Sequence, residues 1–155
     1  MKLWRLTRMP FVALDGRGAI THGTRYTPPG HPVVSLASEA GLAVLVALRY
    51  RPLDRSEPDD LVLGWTDVEA VPERAPDDEE LARRFLADWL LSGYSLLASV
   101  RSRVLPEADV VLMNPCHRGA AGVAPLTVRG FRFSECLHEP PMATRYLAKN
   151  LGDHG

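Results

Sequence analysis

At 155 residues the chain has the length of one ordinary domain, and a chain of that size buries roughly 70% of the surface its unfolded form exposes. Its 46% apolar and 24% charged residues exclude a disordered or collagen-like protein, and 18 basic residues against 19 acidic ones, net −1, provide no field to hold a polyanion, so direct nucleic-acid binding is not expected. The longest apolar run, Gly41 to Leu48, is too short to cross a bilayer, and MKLWRLTRMP carries charges where a signal peptide needs apolar residues, so a cytoplasmic protein without a membrane partner is expected.

LWRLTR (Leu3 to Arg8) alternates apolar and polar side chains as an edge or half-buried strand does, with its arginines expected on one face. DGRGAITHGTRYTPPGHP (Asp15 to Pro32) is dense in Gly, Pro and Thr and predicts a long irregular loop, a kind of segment that often carries function. VVSLA (Val33 to Ala37) predicts a short strand. Ser38 is then placed to cap a helix that runs through GLAVLVAL and closes at Arg49 and Pro52.

The acidic, proline-rich stretch from Leu53 to Asp78 contains one predicted strand, LVLGW (Leu61 to Trp65). PDDEELARRFLADWLLSG predicts the firmest helix: Pro76 and acids at its positive end, Leu81, Phe85 and Trp89 at four-residue spacing, and Gly93 as its stop. SLLASVRS, DVVLMNP and the apolar parts of VAPLTVRGFRF predict three strands, and MATRYLAKNL a tail helix. Strands without regular βα alternation predict a mixed α+β fold in a single domain over residues 1–155.

Cys116 and Cys136, with His117 and His138, offer a four-ligand set for zinc, but their spacing is not that of a common zinc motif. Buried thiols beside surface histidines are the simpler expectation, and no metal is assigned.

LWRLT, GTRYTPPGHPVV, the strand-to-helix passage after it, SVRSRVLPEADVVLMNPCH and FRF occur in an order and at spacings that resemble the RES domain family, named for an arginine, a glutamate and a serine. Members of that family are bacterial toxins of toxin–antitoxin systems that act on NAD. The resemblance implies an ADP-ribosyltransferase-like fold with a mainly antiparallel sheet core and flanking helices. It also implies NAD as substrate or ligand rather than a bound prosthetic group, cleaved by hydrolysis or phosphorolysis or used for ADP-ribosyl transfer. A small helix-turn-helix antitoxin is the implied protein partner, and the resemblance leaves homo-oligomerisation open.

In Thr24, Arg25, Tyr26, Thr27, Pro28 the resemblance gives Arg25 the contact to nucleotide phosphates, for which a planar guanidinium fork is suited. Arg5 would be the second cation, Tyr26 a stacking ring, and Ser102, in Val100, Arg101, Ser102, the family serine that hydrogen-bonds a ribose hydroxyl or phosphate. The family tyrosine and glutamate fall on Ser35 and Val46.

Glu39 is the one acid near Val46 in this helix. It is either a displaced catalytic carboxylate or an acid favoured by the helix dipole, and it precedes Val46 by seven residues, about 10 Å along a helix. A carboxylate steadies the oxocarbenium-like ribose formed when the nicotinamide bond breaks. Valine cannot, so slow turnover is expected, or a nucleotide- or protein-binding module without turnover.

Overall fold

A computed structural model describes residues 1–54, 56–137 and 142–144. Seven strands make one sheet: β1 (Lys2–Arg8), β2 (Val34–Ala37), β3 (Leu61–Asp67), β4 (Glu73–Arg74), β5 (Leu97–Arg101), β6 (Asp109–Met113) and β7 (Thr127–Gly130). Their order is β4-β5-β6-β2-β1-β3-β7, antiparallel throughout except for the parallel β4–β5 pair. The expected α+β architecture, mixed and mainly antiparallel, is therefore present.

The registers divide the side chains between two faces. Ser35 lies opposite Leu112, Ala37 opposite Val110, and Val110 and Leu112 opposite Val100 and Ala98, so these share one face by the two-residue period of a strand. The helices α2 (Ala40–Leu48) and α3 (Glu79–Ser92) cover that face. Ala82, Leu86 and Trp89 of α3 pack with Ala98, Val100 and Leu112, whereas Leu42 and Ala43 of α2 pack with Ala37, Leu61 and Leu63, and Val110 touches both groups. The other face buries Leu3, Val34, Leu36, Leu97, Val111 and Met113.

β1 is an interior strand, not an edge. It pairs with β3 from Lys2 opposite Asp67 to Arg8 opposite Leu61, but with β2 at a single pair, Trp4 opposite Ala37. Arg5 and Arg8, three residues apart, point to opposite faces rather than one; Arg8 Nε donates to Asp60 Oδ1 at the surface, 2.8 Å away.

Several expected elements differ from those formed. The predicted loop from Asp15 to Pro32 contains α1 (Arg17–His22), which Asp15 starts by accepting the Arg17 N–H. Gly16 permits the entry: it sits at φ 73°, and a Cβ there would lie 2.6 Å from the Val33 nitrogen. Ser38 does not cap α2. Its Oγ accepts the Asp109 N–H of β6 at 3.0 Å, and Glu39 is the N-cap residue, with no side-chain cap bond.

α3 starts one residue after Asp78, which accepts the Leu81 N–H, and stops at left-handed Gly93. Its buried row is Ala82, Leu86 and Trp89, at three- and four-residue steps, while Leu81 is exposed. β4 was not foreseen in the sequence; it is two residues long, too short to leave a period. The strand from Leu61 runs on to Asp67, and Phe133 lies in a 3-10 turn (Phe133–Cys136) beyond β7. Apart from 142–144, which are helical, the expected tail helix lies outside the described residues. Cys116 and Cys136 are exposed, which corrects the expectation of buried thiols; His138 lies outside the described residues.

Candidate functional site

The single β1–β2 pair is what opens the sheet. Beyond Trp4 the two strands diverge, and Arg5 Nη1 reaches across to the Ser35 carbonyl oxygen at 3.4 Å. Around this gap lie a cavity of about 490 Å³ lined by Trp4, Arg5, Leu6, Ser35, Val46 and Ala47 among others, and one of about 260 Å³ lined by Arg25, Tyr26, Ser35, Val46, Arg49 and Ser102 among others. The two share Ser35, Val46, Tyr50 and Val110. A further hollow of about 260 Å³, reaching back to α1, is also lined by Arg5 and Ser35. Such volumes suit a small-molecule ligand.

The loop that carries Arg25 is built rigidly. Thr24 Oγ1 accepts the N–H groups of Tyr26 and Thr27, each at 3.1 Å, and lies 2.8 Å from Thr27 Oγ1, while the Thr24 N–H donates to the Thr27 carbonyl. Gly23 precedes it at φ 70°, where a Cβ would lie 2.9 Å from the Thr27 oxygen. Arg83 of α3 donates to the Arg25 carbonyl at 3.3 Å. Tyr26 is half-buried against the α3 cluster.

Glu79 organises the guanidinium groups beside the loop. Its Oε2 lies 3.2 Å from Arg25 Nη2 and 2.8 Å from Arg103 Nη2, and its Oε1 2.7 Å from Arg83 Nη2. The Arg25 hydrogen bond, first among these, holds the Glu79 carboxyl below its ordinary value. Glu79 is not among the residues lining the three cavities; it faces an adjoining hollow that shares Tyr26, Arg101, Ser102 and Arg103 with the Arg25 cavity.

Ser102 is buried at the end of β5, and its Oγ accepts the Val104 and Leu105 N–H groups, each at 3.2 Å. The hydroxyl thus shapes the turn that presents Arg103, and its own proton stays available to a ligand oxygen. Arg5 is half-exposed as a residue, but its Nε is buried without a hydrogen-bond partner. Burial lowers the Arg5 pKa, opposed by the charge of Asp15.

Five of the six site candidates, Arg5, Arg25, Tyr26, Ser35 and Ser102, therefore line connected hollows. Glu39 does not: it is exposed at the start of α2 and lines none of them. Val46 lines both the Arg25 cavity and the larger one beside Trp4, at their junction. Among the described residues, no Asp or Glu lines any of the three. Sequence reasoning missed Arg49 and Arg103 at the rim; Arg103, the residue after Ser102, was legible as its neighbour, whereas Arg49 read as a helix-closing cation.

The fold is thus an open, mainly antiparallel sheet with an arginine-rimmed cleft on its helical face. A sequence model of the family described as RES domain matches residues 2–134, and the chain belongs to that family. It is 33% identical over 144 residues to the Prs ADP-ribosylating toxin of Sphingobium sp., covering 83% of this chain and 86% of the relative. To Toxin Res of Photorhabdus laumondii it is 29% identical over 128 residues, covering 74% and 82%. The fold matches a chain of the crystal structure of the M. tuberculosis MbcT-MbcA toxin-antitoxin complex, with TM-score 0.56 and 18% identity over 83% of this chain and 80% of that one. The protein is thus a toxin-like RES domain. No helix among the described residues is long and apolar enough to cross a membrane.

Proposed function

We propose that the cleft holds NAD or a closely related nucleotide and that the chain cleaves its nicotinamide–ribose bond slowly. The reaction would break the bond between ribose C1′ and the pyridine nitrogen, which leaves with the electron pair as neutral nicotinamide. Water, a phosphate oxygen or a protein side chain then bonds to C1′, giving hydrolysis, phosphorolysis or ADP-ribosyl transfer. Arg25, Arg49 and Arg103 face the diphosphate, Tyr26 stacks on a ring, Ser102 donates to a ribose or phosphate oxygen, and Ser35 lines the floor. The observation that carries this reading is that residues far apart in sequence, Arg5, Arg25, Ser35, Val46 and Ser102, converge on one cleft.

The absence of a lining carboxylate among the described residues favours a second reading, binding without turnover. Both are tested by measuring NAD affinity and nicotinamide release. Arg25→Ala should weaken NAD binding by about tenfold or more, the worth of a charge-assisted hydrogen bond. Val46→Glu should raise nicotinamide release about a hundred- to a thousand-fold, the usual size of one electrostatic contributor. An inert Val46→Glu that still binds NAD selects the binding module. No NAD binding by wild type overturns the nucleotide reading. Likeness to toxins supports an antitoxin that covers this cleft in the cytoplasm, and co-purification with the product of an adjacent open reading frame is the corresponding test.

A further inference from the structure

The two compartments that meet at Ser35 and Val46 differ in chemistry. The one beside Arg25 has three guanidinium groups at its rim besides Arg101. The larger, of about 490 Å³, is walled by Trp4, Leu6, Ala47, Leu61 and Phe133, with Arg5, Arg8 and Arg51 also lining it. Arg5, in the gap between β1 and β2 that borders it, has a buried Nε–H without a partner and an Nη1 that makes one long bond, 3.4 Å, to the Ser35 carbonyl. Asp15, the carboxylate whose charge acts on it, is itself hydrogen-bonded by Arg17. A guanidinium with a buried, unpartnered Nε–H beside a pocket lined by no carboxylate is completed by an anion on a flat apolar body, and a carboxamide, whose one oxygen accepts where a carboxylate offers two, is held less tightly.

The geometry points to a pyridine-3-carboxylate, the acid counterpart of nicotinamide, as the ring that the Trp4–Arg5 compartment takes, so that the preferred ligand is the acid form of the dinucleotide rather than NAD. This rests on the reading that the cleft holds a dinucleotide. The Arg25 side then receives the diphosphate, and Val46, which lines both compartments, lies where the ribose joins the ring.

Calorimetric titration of wild type with nicotinic acid adenine dinucleotide and with NAD tests it. The acid should bind about tenfold or more tightly than the amide. Arg5→Gln should abolish that preference, Arg5→Lys should keep part of it, and Arg25→Ala should weaken both ligands alike. Because Arg5→Gln also perturbs an interior strand, Ala47→Phe, which fills the compartment and leaves Arg5 intact, is the second variant and should weaken both dinucleotides. Equal affinities in wild type, an acid preference that survives Arg5→Gln, or unchanged binding to Ala47→Phe overturns the inference while NAD binding still supports the parent reading. Failure of both dinucleotides to bind overturns the parent reading as well.

Discussion

Glu79 shows how one side chain can both build and oppose a site. It was legible in the sequence as a first-turn acid of α3, and its position there is as expected. That it gathers Arg25, Arg83 and Arg103 was not legible, because Arg25 and Arg103 lie on other elements. Nucleotide phosphates must compete with this carboxylate for Arg25 and Arg103. Glu79→Gln is therefore expected to tighten NAD binding about three- to tenfold, since hydrogen bonds to charged groups exceed neutral ones by such margins; weaker binding would show that Glu79 positions the loop more than it competes. The same contact has a pH signature. With the Glu79 pKa held below its ordinary 4.5 by Arg25 first, its stabilising contribution is complete above that value and is lost as pH falls through the lower folded-state value. The difference in Tm between wild type and Glu79→Gln should be flat from neutrality down to the ordinary carboxyl range and shrink below it.

At the scale of elements, the loop before β2 decides where Arg25 points. A glycine, two threonines and a proline pair mark a turn in any sequence, and that much was read in advance. The hydroxyl bridge from Thr24 to Thr27 and the positive φ of Gly23 give the turn its one shape. Gly23→Ala forces a Cβ to 2.9 Å from the Thr27 oxygen, so it should weaken NAD binding with a modest Tm loss; unchanged affinity would mean that the loop adapts without cost to Arg25. The helices teach the complementary lesson. α3 was legible from its acidic start, its apolar spacing and its glycine stop, yet Leu81, at the expected four-residue step, is exposed: a helix repeats every 3.6 residues, and the face that meets the sheet follows Ala82, Leu86 and Trp89. For α2, Ser38 looked like a cap until β6 arrived to use its hydroxyl.

For the whole molecule, the sheet and its two unequal faces set stability. Leu97 is fully buried on the face opposite the helices, between Leu36, Val111 and Met113 among others. Leu97→Ala should cost about 2–5 kcal/mol and lower Tm by roughly 5–15 °C for a chain of this size; thermal denaturation of the variant measures it. Because Arg25 and Ser102 lie on the helical side of the sheet, any loss of NAD affinity should follow only from global unfolding. A specific loss in the folded variant would place Leu97 in the support of the cleft.

The sequence by itself determined the strand and helix segments, through periodicity and punctuation, and the family, through short motifs in a fixed order. Those signals are local, or collinear along the chain. It also determined that no acid stands at position 46, since identity is read without any coordinates. What the tertiary structure decided is everything that depends on distance between segments. β1 became an interior strand because β3 and β2 pair on either side of it, and the cleft exists because one of those pairings ends at Trp4. Arg5 keeps a buried, unpartnered Nε because it borders that opening, and Glu39 was left outside because the start of α2 lies away from the cleft that its later turn lines through Val46. Divergence of two strands and desolvation of one guanidinium arise from packing among distant residues, and neither leaves a period or motif in the chain.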